Sequence, residues 1–286
     1  MSIETGVLYV VATPIGNLGD ITRRAQEVMA AVDLIAAEDT RHSGRLLQQL
    51  QIDTPTLALH EHNERDRAPQ LVERLQQGES VALVSDAGTP LVSDPGFHLV
   101  RLAREHGIRV VPVPGASALL AALAASGLPS DRFVFEGFLA VKAAARRHRL
   151  EALATETRTV IVYEAPHRLL DTLGDMIAVF GCERYVVLAR ELTKTFETIK
   201  GDSVESLLEW VRSDTNQQKG EMVLLIKGAD TAGSDTIELE GQRILRILLA
   251  ELPLSQASSL AAKLSGGKKK SLYQFGLGLK KTMECK

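Results

Sequence analysis

Five short apolar runs, each followed by a stretch of helical character, constrain this chain more than anything else in its sequence. They are Val7–Ala12, Leu34–Ala37, Thr56–Leu59, Val81–Val84 and Ile108–Val113. Continuous apolar runs of this length mark strands covered on both faces, whereas a strand with one wet face alternates. The stretches between them space their apolar residues as helices do, for example Ala25, Val28, Met29 and Val32 behind an N-cap at Asp20 or Thr22. Strand and helix in alternation predict a parallel sheet joined by right-handed crossovers.

The unusual residues fall at one place in this pattern. Each run ends in a polar, turn-forming cluster: Thr13–Asp20, Glu38–Arg41, His60–Asn63, Ser85–Gly96 and Pro114–Ser117. The carboxyl ends of parallel strands lie on one edge of the sheet, and open α/β sheets bind ligands in the crevice there. The longest cluster crowds two Ser, two Asp, two Gly and two Pro into Ser85–Gly96, far more than a strand-to-helix turn requires. Gly88 and Gly96 admit backbone angles other residues avoid, while Pro90 and Pro95 fix their own. A stiff loop with exposed N–H groups suits a small ligand's carboxylate or ribose.

After Gly127–Ser130 the texture changes. Arg132–Phe138, Thr159–Tyr163, Tyr185–Ala189, Thr195–Lys200 and Met222–Lys227 read as strands, with helices clearest at His167–Phe180 and Val204–Arg212. Consecutive strands around Tyr185–Lys200 predict a mixed sheet. The expected architecture is therefore α/β: a parallel-sheet domain over residues 1–117 and a mixed-sheet domain over 118–230, with a cleft between them. Ala229–Ser234 reads as a linker to a small helical extension over 240–286.

Charge narrows the choice of ligand. With 33 Lys and Arg against 36 Asp and Glu, the chain has no global attraction for nucleic acid, so any polyanion site must be a local patch. The densest basic run is Lys142, Arg146, Arg147, His148 and Arg149; residues three and four apart share a helical face, which is either simply solvated or placed against phosphates. Val110–Pro129 is nearly uncharged but broken by Pro112, Pro114, Gly115 and Gly127, so no membrane span is expected. With the first strand expected to start at Val7, no signal peptide is expected. Cys182 and Cys285 lack metal-type spacing, which fits a reducing cytoplasm.

Other motifs are weaker. Gly16 and Gly19 with Glu38 and Asp39 downstream echo a dinucleotide fingerprint, but Pro14 occupies its early turn and the third Gly is missing. Glu38-Asp39-Thr40-Arg41 reads equally as a helix cap with a surface ion pair or as part of a site. His60 and His62, flanking Glu61, belong to a loop and read first as solvated histidines. Leu254–Leu264, a Ser265-Gly266-Gly267 turn and the lysine-bearing Lys268–Phe275 resemble a helix-turn-helix, a shape used for nucleic acid and also for plain packing.

Taken together and in order, several of these motifs match a known family. They are TPIGNLGDIT at Thr13–Thr22, EDTR at Glu38–Arg41, SDAGTP and SDPG within Ser85–Gly96, PGASA at Pro114–Ala118, YEAPHR at Tyr163–Arg168, RELTK at Arg190–Lys194 and KGE at Lys219–Glu221. The chain resembles the ribosomal RNA small subunit methyltransferase I family, within the tetrapyrrole-methylase-like superfamily of S-adenosylmethionine enzymes. The resemblance implies methylation of a cytidine ribose 2′-oxygen in the decoding region of small-subunit (16S) rRNA, on free rRNA or the assembled subunit. It also implies a homodimer. Ala140 stands where the family usually has Pro, and the tail from about Leu264 departs from the usual pattern.

By the same resemblance, Pro14, Gly88, Thr89, Pro90, Ser93, Asp94, Ala116, Ser117, Tyr163 and Glu164 hold S-adenosyl-L-methionine. Asp86 or Glu38 is expected near the target hydroxyl as proton acceptor, with Lys194 and Arg41 steering adjacent phosphates. Arg41, His42, Arg45, Lys142, Arg146, Arg147 and Arg149 are expected to bind RNA, since phosphate contacts dominate such affinity. A methyl on a positive sulfur is already activated, so the chemistry requires no metal. Two other readings fit the same superfamily or tail: methylation of a small tetrapyrrole, and a non-catalytic RNA-binding module.

Overall fold

The computed structural model describes residues 3–229, 235–249 and 251–284. Of the linker expected at Ala229–Ser234, residues 230–234 lie outside them, as does Cys285. The chain forms two compact units, one running to Ala154 and resuming over Arg158–Lys227, the other comprising Thr155–Thr157 and the chain from Gly228.

The first unit begins with the expected alternation: β1 Val7–Val11, α1 Arg23–Ala31, β2 Leu34–Ala37, α2 Thr40–Gln49, β3 Thr56–Ala58, α3 Glu64–Gln76, β4 Val81–Val84, α4 Phe97–Glu105, β5 Arg109–Val113 and α5 Ala118–Ser126. The strands pair in the order β3-β2-β4-β1-β5, all parallel. Alternate residues of each strand feed two cores. Val7, Tyr9 and Val11 join Val28, Met29 and Leu47 on one face, while Leu8 joins Leu71, Leu75 and Leu99 on the other. Both faces are thus covered, as the apolar runs required. Thr22 caps α1 by accepting the Ala25 N–H, a bond worth ~1 kcal/mol.

The same unit continues with β6 Phe133–Phe138, α6 Ala143–Leu153, β7 Thr159–Glu164, α7 Leu169–Phe180, β8 Tyr185–Arg190, β9 Thr198–Ser203, α8 Val204–Ser213 and β10 Met222–Ile226. These strands order as β6-β7-β10-β8-β9, with β6 and β7 parallel and the rest antiparallel, a mixed sheet. Helices α6, α7 and α8 cover one face through Leu150, Leu173, Met176, Leu207 and Val211. Leu119, Ala122 and Leu123 of α5 pack on the other with Ile161, Val187 and Val223. The expected border at 117/118 falls between the sheets, just before α5, and both sheets share one unit. The basic run, expected on one helical face, starts at the N-cap of α6, Lys142, and otherwise lies on the helix itself.

The second unit holds α9 Asp235–Leu248, α10 Leu254–Ser265 and α11 Lys269–Glu284. Leu245, Ala257, Ala261 and Leu272 form its small core. Gly266 turns the chain between α10 and α11 with a φ of +75°. Among the described residues, no helix is long and apolar enough to cross a membrane.

Candidate functional site

The loops at the carboxyl ends of the parallel strands meet one face of the mixed sheet around a cavity of about 410 Å³. Ile15 enters from the loop after β1, Glu38 from that after β2, Asp86–Thr89 and Val92–Asp94 from that after β4, and Ser117 from that after β5. Phe138, Tyr163, Glu164, Leu192, Gly220 and Met222 come from the mixed-sheet half. One expected cluster is missing. His60–Asn63 does not line the cavity: β3 is the edge strand beyond β2, at the opposite end of the sheet from β1 and β5. That loop bonds to itself: Asn63 accepts from the His60 N–H and donates to the Ala58 carbonyl. Four strand tips, rather than five, therefore build the wall.

Backbone hydrogen bonds hold the loops in register. Thr13 and Gly88 exchange N–H···O bonds of 2.8 and 3.0 Å, stitching the β1 loop to the central loop. The Thr89 hydroxyl donates to the Ala116 carbonyl at 3.1 Å. The Asp39 N–H donates to Asp86 Oδ1 at 3.1 Å, and the Asp86 N–H approaches Glu38 Oε2 at 3.4 Å. Two non-glycine residues of the central loop, Leu91 and Ser93, adopt φ of +71° and +68°; Glu191 and Thr193, flanking Leu192, adopt +50° and +67°. Each such conformation costs of order 1–3 kcal/mol and persists only where its surroundings impose it, a pattern that gathers at functional sites.

The electrostatics are one-sided. Five acids line the cavity, Glu38, Asp86, Asp94, Glu164 and Glu221, and no Lys, Arg or His does among the described residues. Burial pushes Asp94 up to about 6, opposed by the Ser85 hydroxyl and reinforced by Glu38 and Asp86. Burial likewise raises Glu38, against the Asp86 N–H and with the charges of Asp86 and Asp39. Glu164 is buried and committed: it accepts from Ala165 N–H at 2.8 Å and the Thr172 hydroxyl at 2.5 Å, with Arg168 Nε at 3.3 Å. Glu221 pairs with Lys194 at 3.0 Å. Glu38, Asp86 and Asp94 are left as the acids whose charge no cation of the wall offsets.

The remaining sequence-expected residues divide. Gly88, Thr89, Ser93, Asp94, Ser117, Tyr163 and Glu164 line the cavity. Pro14, Pro90 and Ala116 do not; they flank wall residues, and Ala116 serves through its carbonyl. Burial raises the Tyr163 phenol above its usual range. Lys194 is not in the wall but ties Glu191 (2.9 Å) to Glu221, so a direct role on the reacting atoms does not fit its position. Asp39 caps α2 and pairs with Arg41, whose guanidinium holds that carboxyl down at about 2; Glu38 beside it faces the cavity. The EDTR motif thus serves as both cap and wall.

The basic residues need one correction. Arg41, His42, Arg45, Lys142, Arg147 and Arg149 are exposed. Arg146, expected at RNA, is 4% exposed; its Nε donates to Asp175 at 2.7 Å and its Nη1 to the Val141 carbonyl at 3.2 Å. A guanidinium so enclosed cannot reach a phosphate. Arg147 shares Asp175, and Arg149 forks onto Glu136 at 2.7 and 2.8 Å. Sequence reasoning missed Ile15, Val92, Phe138 and Leu192, apolar wall residues whose neighbours were singled out. No signal in their type marks them; only the folding of four loops against the mixed sheet does.

Residues 7–208 match the family model described as Tetrapyrrole (Corrin/Porphyrin) Methylases, and residues 235–280 match the RsmI C-terminal HTH domain. Ribosomal RNA small subunit methyltransferase I of Haemophilus influenzae is 59% identical, over 97% of this chain and 98% of that one. Its namesake from Pseudomonas aeruginosa is 60% identical over 96% and 98%. Among solved structures, the uroporphyrin-III C-methyl transferase of Thermus thermophilus complexed with S-adenyl homocysteine shares the fold at a TM-score of 0.53 and 17% identity, covering 77% of this chain and 96% of that one. Motifs, fold and near-full-length similarity agree: the chain belongs to the ribosomal RNA small subunit methyltransferase I family of the tetrapyrrole methylases.

Proposed function

We propose that this protein transfers a methyl group from S-adenosyl-L-methionine to the ribose 2′-oxygen of a cytidine in the decoding region of small-subunit rRNA. The observation that carries the reading is the lopsided charge of the cavity. Three clustered carboxylates with no cation on the wall, two of them raised in pKa, suit a positively charged donor bound beside them. When bound, that donor supplies a methyl on a positive sulfur. Gly88, Thr89, Ser93, Asp94 and Ser117 would hold it, with Tyr163 and Leu192 closing the opposite wall.

The chain's own contribution is placement and proton handling. A ribose hydroxyl is a poor nucleophile until its proton has an acceptor within hydrogen-bond reach. Glu38 and Asp86 stand side by side in the wall and are the candidates for that role. Exposed Arg41, His42 and Arg45 at the start of α2, with Lys142 at the N-cap of α6 and Arg147 and Arg149 on it, supply phosphate contacts, and α10–α11 offers a second RNA-binding element through its helix-turn-helix match. The protein works as a homodimer in the cytoplasm, the compartment of its substrate; the exposed Phe97, Leu120 and Phe196 provide apolar surface for a second copy.

The test is incubation with labelled donor and assembled small subunits, then nuclease mapping. Label is expected on one cytidine 2′-oxygen of the decoding region. Label on a porphyrinoid and none on rRNA would replace this reading with the small-tetrapyrrole one. RNA binding with no donor bound in calorimetry would reduce the protein to a binding module.

A further inference from the structure

Two rings of one strand reach the same face three residues apart. In a regular strand Phe135 and Phe138 would point to opposite faces. Here Phe135 pairs with Ile161 and Phe138 with Tyr163, so Glu136 and Gly137 together stand opposite one residue of β7. This is a bulge, a device that re-aims a side chain. Gly137 permits it with a φ of +64°, and a Cβ there would lie 3.1 Å from Ser93 Oγ of the central loop. Both rings consequently meet Tyr163 edge-on, with centroids 4.9 Å (Phe135) and 5.5 Å (Phe138) away.

The two rings differ in what covers them. Phe135 packs into the core beneath the mixed sheet, whereas Phe138 lines the cavity with 55% of its surface in solvent. The segment that follows is rigidly held. Arg168 Nη2 donates to the Leu139 carbonyl at 2.6 Å and approaches that of Ala140 at 3.3 Å, and buried Arg146 holds the Val141 carbonyl. That segment ends at exposed Lys142. A fixed aromatic face therefore stands at the cavity rim, one short stretch of chain from a basic helix start.

We propose that Phe138 is a stacking platform for an unpaired nucleobase of the acceptor RNA, making it a substrate-binding residue of the methyl transfer; the inference rests on the function proposed above. Proteins that handle single-stranded or extruded nucleotides stack their bases on aromatic side chains, and every base offers a π-face for it. A base on Phe138 brings its own sugar to the wall that carries Glu38 and Asp86, with the backbone passing toward Lys142. The donor belongs with the half-buried acids Glu38 and Asp94 rather than with a ring half in water.

The experiment compares wild type with Phe138→Leu and Phe138→Trp in the full-length protein. Donor affinity is measured by calorimetry, and transfer to assembled small subunits as kcat and KM. Phe138→Leu is expected to bind donor within twofold of wild type and to lose about 5- to 150-fold in kcat/KM for the subunit, the range of base–aromatic stacking; Phe138→Trp is expected to recover most of it. Unchanged kcat/KM in Phe138→Leu, or a matching loss of donor affinity, overturns the proposal. Failure of Phe138→Trp to outperform Phe138→Leu also overturns it, since bulk without stacking would then suffice. If the wild type itself transfers no methyl, the function proposed above falls, and this inference with it.

Discussion

Lys194 lies across Gly16. A Cβ on Gly16 would sit 2.5 Å from Lys194 Cγ and 2.7 Å from its Cε, and Gly16 has a φ of +145°. The lysine cannot easily withdraw, because its amino group bridges Glu191 at 2.9 Å and Glu221 at 3.0 Å. The contact joins the loop after β1 to the β8–β9 connection, two segments from different sheets that each give the cavity a residue, Ile15 and Leu192. Gly16→Ala should therefore cost about 1–3 kcal/mol of stability and weaken donor binding as well. Thermal unfolding and calorimetry of the variant check both.

Asp94 sets a pH dependence whose sign is fixed by its environment. Burial, first, and the charges of Glu38 and Asp86 raise its folded pKa to about 6, above the ordinary carboxylate value. The folded protein thus holds a proton between about pH 4 and 6 that the unfolded chain releases, so the stabilising contribution is full below that window and lost as pH rises through 6. Asp94→Asn should melt above wild type at pH 8 and converge with it below pH 4. Donor affinity should show the opposite trend in wild type, rising through pH 6 as Asp94 gains charge, and this rise should vanish in Asp94→Asn.

Arg146 and Arg149 should behave differently despite their similar spacing. Arg146→Ala strands Asp175, whose side chain is 10% exposed, with only Arg147 left to pair it. Breaking a buried pair from one side costs about 3 kcal/mol or more, so this variant should unfold several degrees lower. Arg149→Ala removes a half-exposed guanidinium from Glu136, whose side chain is also only 10% exposed, and should cost less, about 1–2 kcal/mol. Parallel melting curves separate the two.

Neutralising Arg41, Arg45 and Lys142 together should flatten the salt dependence of RNA binding. Each lost contact to single-stranded phosphate lowers the slope of log K against log salt by about 0.7, so the triple variant should lose about 2. Donor affinity should not move, since none of the three lines the cavity. Filter binding across a salt series measures it.

Proton acceptance can be assigned by single-turnover methylation. Glu38→Ala combined with Asp86→Ala should abolish the step, and the single variant that loses more identifies the acceptor. Retained single-turnover activity in the double variant would remove both residues from the role.

Much of the fold was legible because the relevant physics is local. Apolar runs such as Val81–Val84 identify strands buried on both faces, and an N-cap such as Thr22 marks a helix start. The Leu34–Ala37 and Val81–Val84 runs placed Glu38 and Asp86 at strand ends, and the structure puts both in one wall. The break from alternation at Tyr185–Lys200 announced a mixed sheet. Ser265-Gly266-Gly267 marked the turn between α10 and α11, although α9 begins earlier, at Asp235, than the expected extension.

Other features depended on which segments meet, and sequence spacing carries no information about that. The order β3-β2-β4-β1-β5 excluded His60–Asn63 from the cavity, although its turn chemistry resembled the other four clusters. Arg146 and Arg149 read as one basic face until Asp175 of α7 and Glu136 of β6 took one each. Lys194 read as a phosphate-steering cation until Glu191 and Glu221 closed on it. Residue type and local period determined the strands, the helices and the edge where chemistry could gather. Only tertiary packing decided which charges remain free at that edge and which ring faces it, because burial and pairing are settled by neighbours distant in the chain.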